Sequence, residues 1–154
     1  MADLVFNIVK GRVAELYNRV DAGDPSTARL FVIPISAGAA SDAALRDCAD
    51  FAAIITAGAT ELTTGGWNRK TLAAADIAAF AADNTNDRVD LDIADQTWTA
   101  VSGSASTDLV ICYAAVTSPT NNQLVPLTLH DFAVTPNGGD ITAQIAAAGF
   151  FRAS

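Results

Sequence analysis

Acidic side chains form the densest group of potential ligands in this chain. The carboxylates between residues 83 and 95 belong to Asp83, Asp87, Asp90, Asp92 and Asp95. Oxygen ligands at alternating positions are the type that calcium prefers, but the spacing lacks the glycine and the distal glutamate of an EF-hand loop. We therefore expect no metal ion and no cofactor. Asp90, Asp92 and Asp95 are the candidate ligands for the alternative, a calcium site.

The only histidine, His130, is followed directly by Asp131. Neighbouring residues of a strand point to opposite faces of the sheet, so this pair does not supply a base and its orienting carboxylate. No serine lies in a Gly-x-Ser-x-Gly turn, and neither Cys48 nor Cys112 has the local signature of a nucleophile. We expect no catalytic residues, a hydrogen-bonded histidine at a sheet edge or subunit contact, and two buried reduced thiols.

The two tryptophans, Trp67 and Trp98, allow two interpretations. They could be platforms on which a sugar stacks, but aromatic residues more often fill a core or anchor a protein interface. The glycine pairs at 65–66 and 138–139 are not followed by the Gly-Lys-Ser/Thr of a phosphate-binding loop, so we interpret both pairs as turns.

Composition excludes several classes of protein. The 154 residues suit one domain, and 51% of them are hydrophobic, which is enough for a core. A formal net charge of -8 and a pI near 4.3 disfavour binding to nucleic acid or to an anionic membrane. No segment has the length of a membrane span or the pattern of a secretory signal, so we expect synthesis in the cytoplasm.

The elements that must position these residues divide into a helix-rich part, residues 1–66, packed on a strand-rich part, residues 67–154, in a single domain. Helical spacing of apolar residues predicts a helix over 4–20. The β-branched run at 30–35 predicts a buried strand, and Pro34 indicates that its end lies at an edge or bulge. Residues 41–57 predict one further helix, capped by Ser41-Asp42 and stopped by Gly58.

In the second part, residues 67–72 predict a strand and the alanine-rich residues 73–80 a short helix. Alternation over 89–93 predicts a strand with one dry face and one solvated face. Trp98 is out of phase with those apolar residues, so an inward Trp98 requires a bulge near 94–96.

The last third of the chain is dominated by strand patterns. Residues 109–116 are apolar on both faces and predict a central strand, and 124–134 predict another. Asn-Gly-Gly-Asp at 137–140 is a hairpin signal, which favours a strand over a helix for 141–151. Together these patterns predict an α+β fold that is mainly β. We expect an antiparallel sandwich or barrel-like sheet with an N-terminal helix and one or two further short helices.

Several segments together resemble a broad family of tailed-bacteriophage virion proteins, encoded among head and tail structural genes and often described as head decoration or minor structural proteins. The likeness spans nearly the whole chain and is densest after Trp67. The segments that carry it are residues 7–12, 68–72, 83–92, 96–100, 125–132 and 146–152.

This resemblance implies a non-enzymatic capsid decoration (cement) protein that binds the outer head lattice in many copies and stabilises it. The implied partners are the major capsid protein and other copies of the chain, as a trimer or another homo-oligomer. The implied location is the exterior of the virion capsid. The candidate interface residues are Phe6, Trp67, Phe150, Phe151 and Arg152.

Two alternatives stay open. The chain could be a neck, tail or fibre-base component of the virion, which would be present in far fewer copies. It could also be a glycan-binding module that uses Trp67 as its stacking platform.

Overall fold

The computed structural model describes residues 2–154, and within that range the chain forms ten β-strands and three α-helices. The helices are α1 (Val13–Asp21), α2 (Asp42–Arg46) and α3 (Phe51–Thr56), with 3-10 turns at Asn7–Val9, Ala74–Asp76 and Asn121–Gln123. The strands are β1 (Leu4–Val5), β2 (Arg29–Ser36), β3 (Thr60–Glu61), β4 (Lys70–Leu72), β5 (Val89–Leu91), β6 (Gln96–Trp98), β7 (Ser106–Ala114), β8 (Val125–Val134), β9 (Ile141–Ala143) and β10 (Phe151–Ala153).

The main sheet is antiparallel, with the strand order β1-β8-β7-β2-β3 and with β4 also paired to β2. Strand β7 lies between β8 and β2, and nearly all of its residues are buried. A strand that is apolar on both faces is stable only where both faces are covered. The prediction of a central strand over 109–116 is therefore confirmed, with slightly earlier bounds.

Two small antiparallel sheets, β5 with β10 and β6 with β9, complete the strand pairing. The predicted fold class, mainly β with antiparallel sheets, an N-terminal helix and two further short helices, is confirmed. Across residues 2–154 the main sheet does not close into a barrel, because β1 ends one side and β3 and β4 end the other.

All three α-helices lie before residue 67, but that part of the chain also contributes β1, β2 and β3 to the main sheet. Strand β2 pairs with β7 from Arg29 to Ile35, and β1 pairs with β8. Residues from both parts of the chain thus share one sheet and one hydrophobic core.

The first helix is shorter than predicted. Helix α1 begins at Val13 instead of residue 4, and its buried residues are those that the helical spacing indicated. Gly11 has a φ of +82°, in the left-handed region that a continuous right-handed helix does not contain. Before it, Leu4 pairs with Leu129, so residues 4–5 form an edge strand.

The prediction of an edge or bulge at Pro34 is wrong. Strand β2 is interior, because Pro34 pairs with Leu109 on one side and its carbonyl accepts a hydrogen bond from the Leu62 backbone N–H at 3.0 Å on the other. Proline is tolerated here because the outer pairing changes at this point, from β4 to β3. The missing N–H of Pro34 falls in the gap between the two short partners.

The single helix predicted over 41–57 is two helices. Ser41 caps α2 as predicted, by accepting a hydrogen bond from the Ala44 backbone N–H at 3.3 Å. Asp50 then caps a new helix, because its carboxylate accepts from the Ala53 backbone N–H at 2.8 Å. A short acidic side chain that satisfies a free backbone N–H starts a helix more readily than it continues one.

The predictions for residues 67–80 overestimate regular structure. Only Lys70–Leu72 form a strand, and only Ala74–Asp76 form a helical turn. The chain then runs extended, because Ile77 makes an antiparallel bridge to Ile93. In a segment this short, the helix propensity of alanine stabilises a helix less than this backbone pairing stabilises the extended chain.

Residues 137–140 do not form the predicted hairpin. Strand β9 pairs with β6 instead of β8, with Trp98 opposite Ile141. Residues 141–151 form no single strand, because β9 and β10 are separate and have different partners. Trp98 is fully buried, but the predicted bulge near 94–96 is not what places it there: β5 ends at Leu91, and β6, which begins at Gln96, belongs to a different sheet.

Candidate functional site

Two of the predicted interface residues lie in the core. Phe6 has none of its surface exposed, and Trp67 has only 2% exposed. The Trp67 indole N–H donates to the Ser104 carbonyl at 3.0 Å. The centres of the Trp67 and Trp98 rings are 5.4 Å apart, in an edge-to-face arrangement. Neither residue presents a side chain to a partner, so their assignment to an interface is corrected. The same burial removes Trp67 as a platform for sugars.

The other three interface candidates lie together at the end of the chain. Phe150 and Phe151 are both partly exposed and pack against the core, and Arg152 is exposed. The centre of the Phe150 ring lies 6.0 Å from the centre of the Tyr17 ring and 6.3 Å from that of the His130 ring. We call residues 144–154, which contain these side chains, the C-terminal segment.

The acidic residues considered as metal ligands instead connect segments of the chain. Asp90 accepts a hydrogen bond from Arg152 at 2.6 Å, which lowers the pKa of the Asp90 carboxyl. The Asp95 carboxylate accepts from the Ile145 backbone N–H at 2.8 Å, and the Asp92 main-chain carbonyl accepts from the Tyr17 hydroxyl. Across residues 2–154, no group of three histidine, cysteine or acidic side chains is arranged to hold a metal ion.

A groove of about 280 Å³ lies between one face of the main sheet and the beginning of the C-terminal segment. We call it the terminal groove. Its floor is apolar and consists of Val32, Leu109, Ile111 and Phe132. Its roof consists of residues 143–146, Gly149 and Phe150. The remaining lining residues carry titratable side chains, and they are Asp3, His130 and Asp131.

His130 is oriented by contacts on both ring nitrogens. Its Nε2 lies 2.9 Å from the Thr128 hydroxyl, and its Nδ1 lies 3.5 Å from Asp3 Oδ2. Burial lowers the pKa of His130, although the Asp3 carboxylate acts in the opposite direction. The imidazole is therefore held in its neutral form more strongly than in water.

The order carboxylate, imidazole, hydroxyl is that of a hydrolase triad, but the burial of the hydroxyl distinguishes this arrangement from one. Thr128 has only 2% of its surface exposed, so its hydroxyl is not reachable by a substrate. Asp3 also accepts a hydrogen bond from the Asp131 backbone N–H at 2.9 Å. These contacts join the start of the chain to β8 and fix the imidazole ring, and they do not present a nucleophile.

A further apolar surface lies at residues 78–82, which we call the alanine strip. Ala78, Ala79, Ala81 and Ala82 are exposed, and Phe80 between them is partly buried against the core. The segment belongs to no helix or strand. It runs along the surface between the bridge at Ile77 and the bridge at Asp83.

Hydrogen bonds fix the alanine strip in place although it lacks regular structure. The Ala78 backbone N–H donates to the Asp92 carbonyl at 3.0 Å, and the Ala78 and Asp92 carbonyls share the single proton of the Tyr17 hydroxyl, each at 2.6 Å. The Phe80 backbone N–H donates to Asp21 Oδ2 at 2.9 Å. Burial raises the pKa of Tyr17 to about 12, so this donor keeps its proton at neutral pH.

Sequence reasoning missed the contribution of Asp3 to the groove and the exposure of the alanine strip. No local pattern could have placed Asp3 on β8, because 128 positions separate it from Asp131. The strip did carry a signal, since the five residues 78–82 contain four alanines and no helix-capping residue.

No helix in the described range, residues 2–154, is long and apolar enough to cross a membrane. The chain matches no protein-family model, no curated protein and no solved structure.

Proposed function

We propose that this chain is a non-enzymatic structural protein of a tailed-phage virion, of the capsid decoration (cement) type. Its partner in this proposal is the major capsid protein on the outer head lattice. The proposal starts from the resemblance of segments along the whole chain to tailed-phage virion proteins. The observation that carries it is the alanine strip.

The alanine strip has the properties of a surface that binds another protein. Four alanines are exposed within five consecutive residues, and no charged side chain interrupts residues 78–82. Contiguous exposed apolar surface on a globular protein commonly marks an interaction site. The hydrogen bonds to Tyr17, Asp21 and Asp92 hold the strip in one conformation, which lowers the entropy lost on binding.

The charge of the chain also supports a position outside a DNA-filled shell. The formal net charge of -8 repels nucleic acid, whose binding requires basic residues that displace counterions. A decoration protein on the outer face of a capsid has no need of such residues.

Stabilisation in this proposal follows from mass action. A protein that binds the assembled lattice but not its dissociated subunits lowers the free energy of the assembled state by its binding free energy. Many copies that bridge neighbouring capsomers would oppose the internal pressure of packaged DNA. A symmetric lattice favours a symmetric oligomer, and a trimer suits a threefold position.

The experiment that tests this proposal is quantitative mass spectrometry of purified particles of the phage that encodes the chain. A decoration protein is expected at a copy number comparable with that of the major capsid protein. A neck, tail or fibre-base component is expected at a small fraction of that number. Absence of the chain from purified particles would contradict both virion proposals.

The glycan-binding alternative loses its main support, because the ring of Trp67 is packed against Trp98 inside the core. A glycan array probed with the intact protein tests the remaining surface. We expect no glycan to bind at any position of the array.

A further inference from the structure

Asn137 and Gly138 form the only Asn-Gly pair in the chain, and both residues are exposed. In such a pair the backbone nitrogen of the glycine can attack the side-chain amide carbon of the asparagine. A C–N bond forms, ammonia leaves, and water opens the resulting succinimide to aspartate or isoaspartate. Glycine favours this reaction because it has no side chain to obstruct the closing ring. The sequence therefore places a candidate site of spontaneous deamidation at Asn137.

In the folded chain both reacting groups are engaged in hydrogen bonds. The Gly138 backbone N–H donates to the Val101 carbonyl at 2.8 Å, and Asn137 Oδ1 accepts from the Gly139 backbone N–H at 3.0 Å. The Gly138 nitrogen must lose its proton to attack, and the hydrogen bond to Val101 retains that proton. The hydrogen bond to Gly139 restricts rotation of the Asn137 side chain. Both contacts therefore oppose the reaction.

The acceptor of the Gly138 proton belongs to residues 99–102, which we call the gate loop. The Val101 backbone N–H donates in turn to the Gly139 carbonyl at 2.9 Å, so the gate loop and the turn at 137–140 exchange two hydrogen bonds. The Asp140 carboxylate also accepts from the Ala100 backbone N–H at 2.9 Å. Ala100 has a φ of +50°, a conformation that alanine keeps only where surrounding contacts impose it. The position of the gate loop therefore depends on Asp140.

We propose that Asn137 is a deamidation site that the gate loop protects, and that it reacts only when the turn at 137–140 separates from that loop. A transient local opening is thereby converted into a permanent covalent change. The product carries one additional negative charge at residue 137. The isoaspartate form also adds one carbon to the backbone, which prevents the turn from re-forming both hydrogen bonds to the gate loop. This inference goes beyond the capsid-decoration function and does not depend on it.

The rate of deamidation in the full-length protein measures the protection directly. We would incubate the protein at pH 8 in native buffer and in urea, and follow Asn137 by peptide mass spectrometry. Enzymatic methylation of isoaspartate identifies that product. Asn137 should react in urea, and its rate in native buffer should be lower by about tenfold or more, because the reaction requires local opening.

Asp140→Ala removes the acceptor of the Ala100 N–H and should raise the rate in native buffer by about threefold or more. Asp140→Asn is the matched control, because it removes the same charge but retains a side-chain oxygen that can accept this hydrogen bond. Its rate in native buffer should stay close to that of the parent. The rates of both variants in urea measure any direct effect of the lost charge on the chemistry.

Gly66→Ala tests the gate loop without changing Asp140. A Cβ at Gly66 would lie 2.7 Å from the Thr99 carbonyl oxygen, so the gate loop must move. Gly103→Ala is its control, because Gly103 also has a positive φ, +87°, but a Cβ there meets no atom within 4 Å. Only Gly66→Ala should accelerate deamidation of Asn137. This second pair keeps the test valid if Asp140→Ala fails to fold.

Four results would overturn the proposal. Absence of modification at Asn137 in urea would mean that the pair is not reactive in this chain. Equal rates in native buffer and in urea would mean that the hydrogen bonds give no protection. Unchanged rates in both Asp140→Ala and Gly66→Ala would mean that the gate loop does not control the reaction. Equal acceleration in native buffer by Asp140→Asn and Asp140→Ala would assign the effect to charge instead of to the position of the loop.

Discussion

Gly149 lies directly against the backbone of Leu91, at the point where the C-terminal segment joins β5. The next residue, Phe150, donates its backbone N–H to the Leu91 carbonyl at 2.9 Å. A Cβ at position 149 would lie 2.6 Å from the Leu91 carbonyl carbon, which is too close for any side chain. This approach sets the position of β10 and of the roof of the terminal groove.

Gly149→Ala should therefore detach the C-terminal segment from β5. Gly138→Ala is the matched control, because Gly138 also has a positive φ, +87°, but a Cβ there meets no atom within 4 Å. An alanine in the left-handed region costs about 1 kcal/mol at either position. The steric overlap should add about 2 kcal/mol for Gly149→Ala alone.

Chemical denaturation of the two variants measures this difference, and hydrogen exchange over residues 149–153 shows where it arises. Equal loss of stability in both variants, with unchanged exchange at the end of the chain, would mean that the close approach has no energetic consequence.

Glu61 and Arg69 form a partly buried ion pair that ties β3 to the residue before β4. The two side chains make two hydrogen bonds, Nε to Oε1 at 2.5 Å and Nη2 to Oε2 at 2.6 Å, which raise the pKa of Arg69. The guanidinium also lies 5.3 Å from the centre of the Phe51 ring. Glu61→Gln leaves a partly buried charge without its partner and should lower the free energy of unfolding by about 2 kcal/mol.

Thermal and denaturant unfolding of Glu61→Gln test this prediction. Glu15→Gln is the control, since the ion pairs of Glu15 with Arg12 and Arg19 are largely exposed and should contribute no measurable stability. A Glu61 variant as stable as the Glu15 variant would contradict the structural role of the pair.

Asp108 is a buried carboxylate that weakens the fold at neutral pH. Its Oδ2 accepts from the Thr107 hydroxyl at 2.6 Å, while its Oδ1 has no hydrogen-bond partner among residues 2–154. Burial raises the pKa of Asp108 above 3.8, and the nearby Asp131 and Asp42 add to the rise. The folded state therefore binds more protons than the unfolded state, and Asp108 lowers stability as the pH rises through its folded pKa.

Asp108→Asn should raise the free energy of unfolding by about 1 kcal/mol at pH 8, because it removes a buried charge. The gain should shrink as the pH falls through the folded pKa of Asp108 and vanish near pH 3.8, its ordinary value. Melting curves between pH 4 and pH 8 measure the effect, and Asp87→Asn controls for the loss of one negative charge. A variant that is less stable than the parent at pH 8 would contradict this account.

Much of the fold could be predicted because some patterns have one stable solution. Residues 109–114 are apolar on both faces, and only an interior strand buries both. The spacing of Val13, Leu16, Tyr17 and Val20 fits one face of a helix, and all four are buried in α1. Ser41 and Gly58 marked the ends of the second helical region correctly.

Predictions failed where a distant residue competes with a local preference. Residues 73–80 favour a helix by composition, but only one turn forms, because Ile77 bridges Ile93 and the Ala78 backbone N–H donates to the Asp92 carbonyl. The turn at 137–140 favours a hairpin, but β6 takes β9 as its partner. Asp3 reaches the terminal groove only because β1 pairs with β8. Such pairings depend on the whole sheet and leave no signal in a short window of sequence.

The capsid-decoration proposal requires the alanine strip to bind the outer capsid lattice. The most direct test is to add purified protein to particles that lack it and to quantify its occupancy. Ala79→Asp with Ala81→Asp places two charges on the strip, and Ala105→Asp with Ala115→Asp places the same charges on exposed alanines elsewhere. We predict that the strip variant fails to occupy the particles while the control binds like the parent protein. Equal occupancy by both variants would contradict the claim.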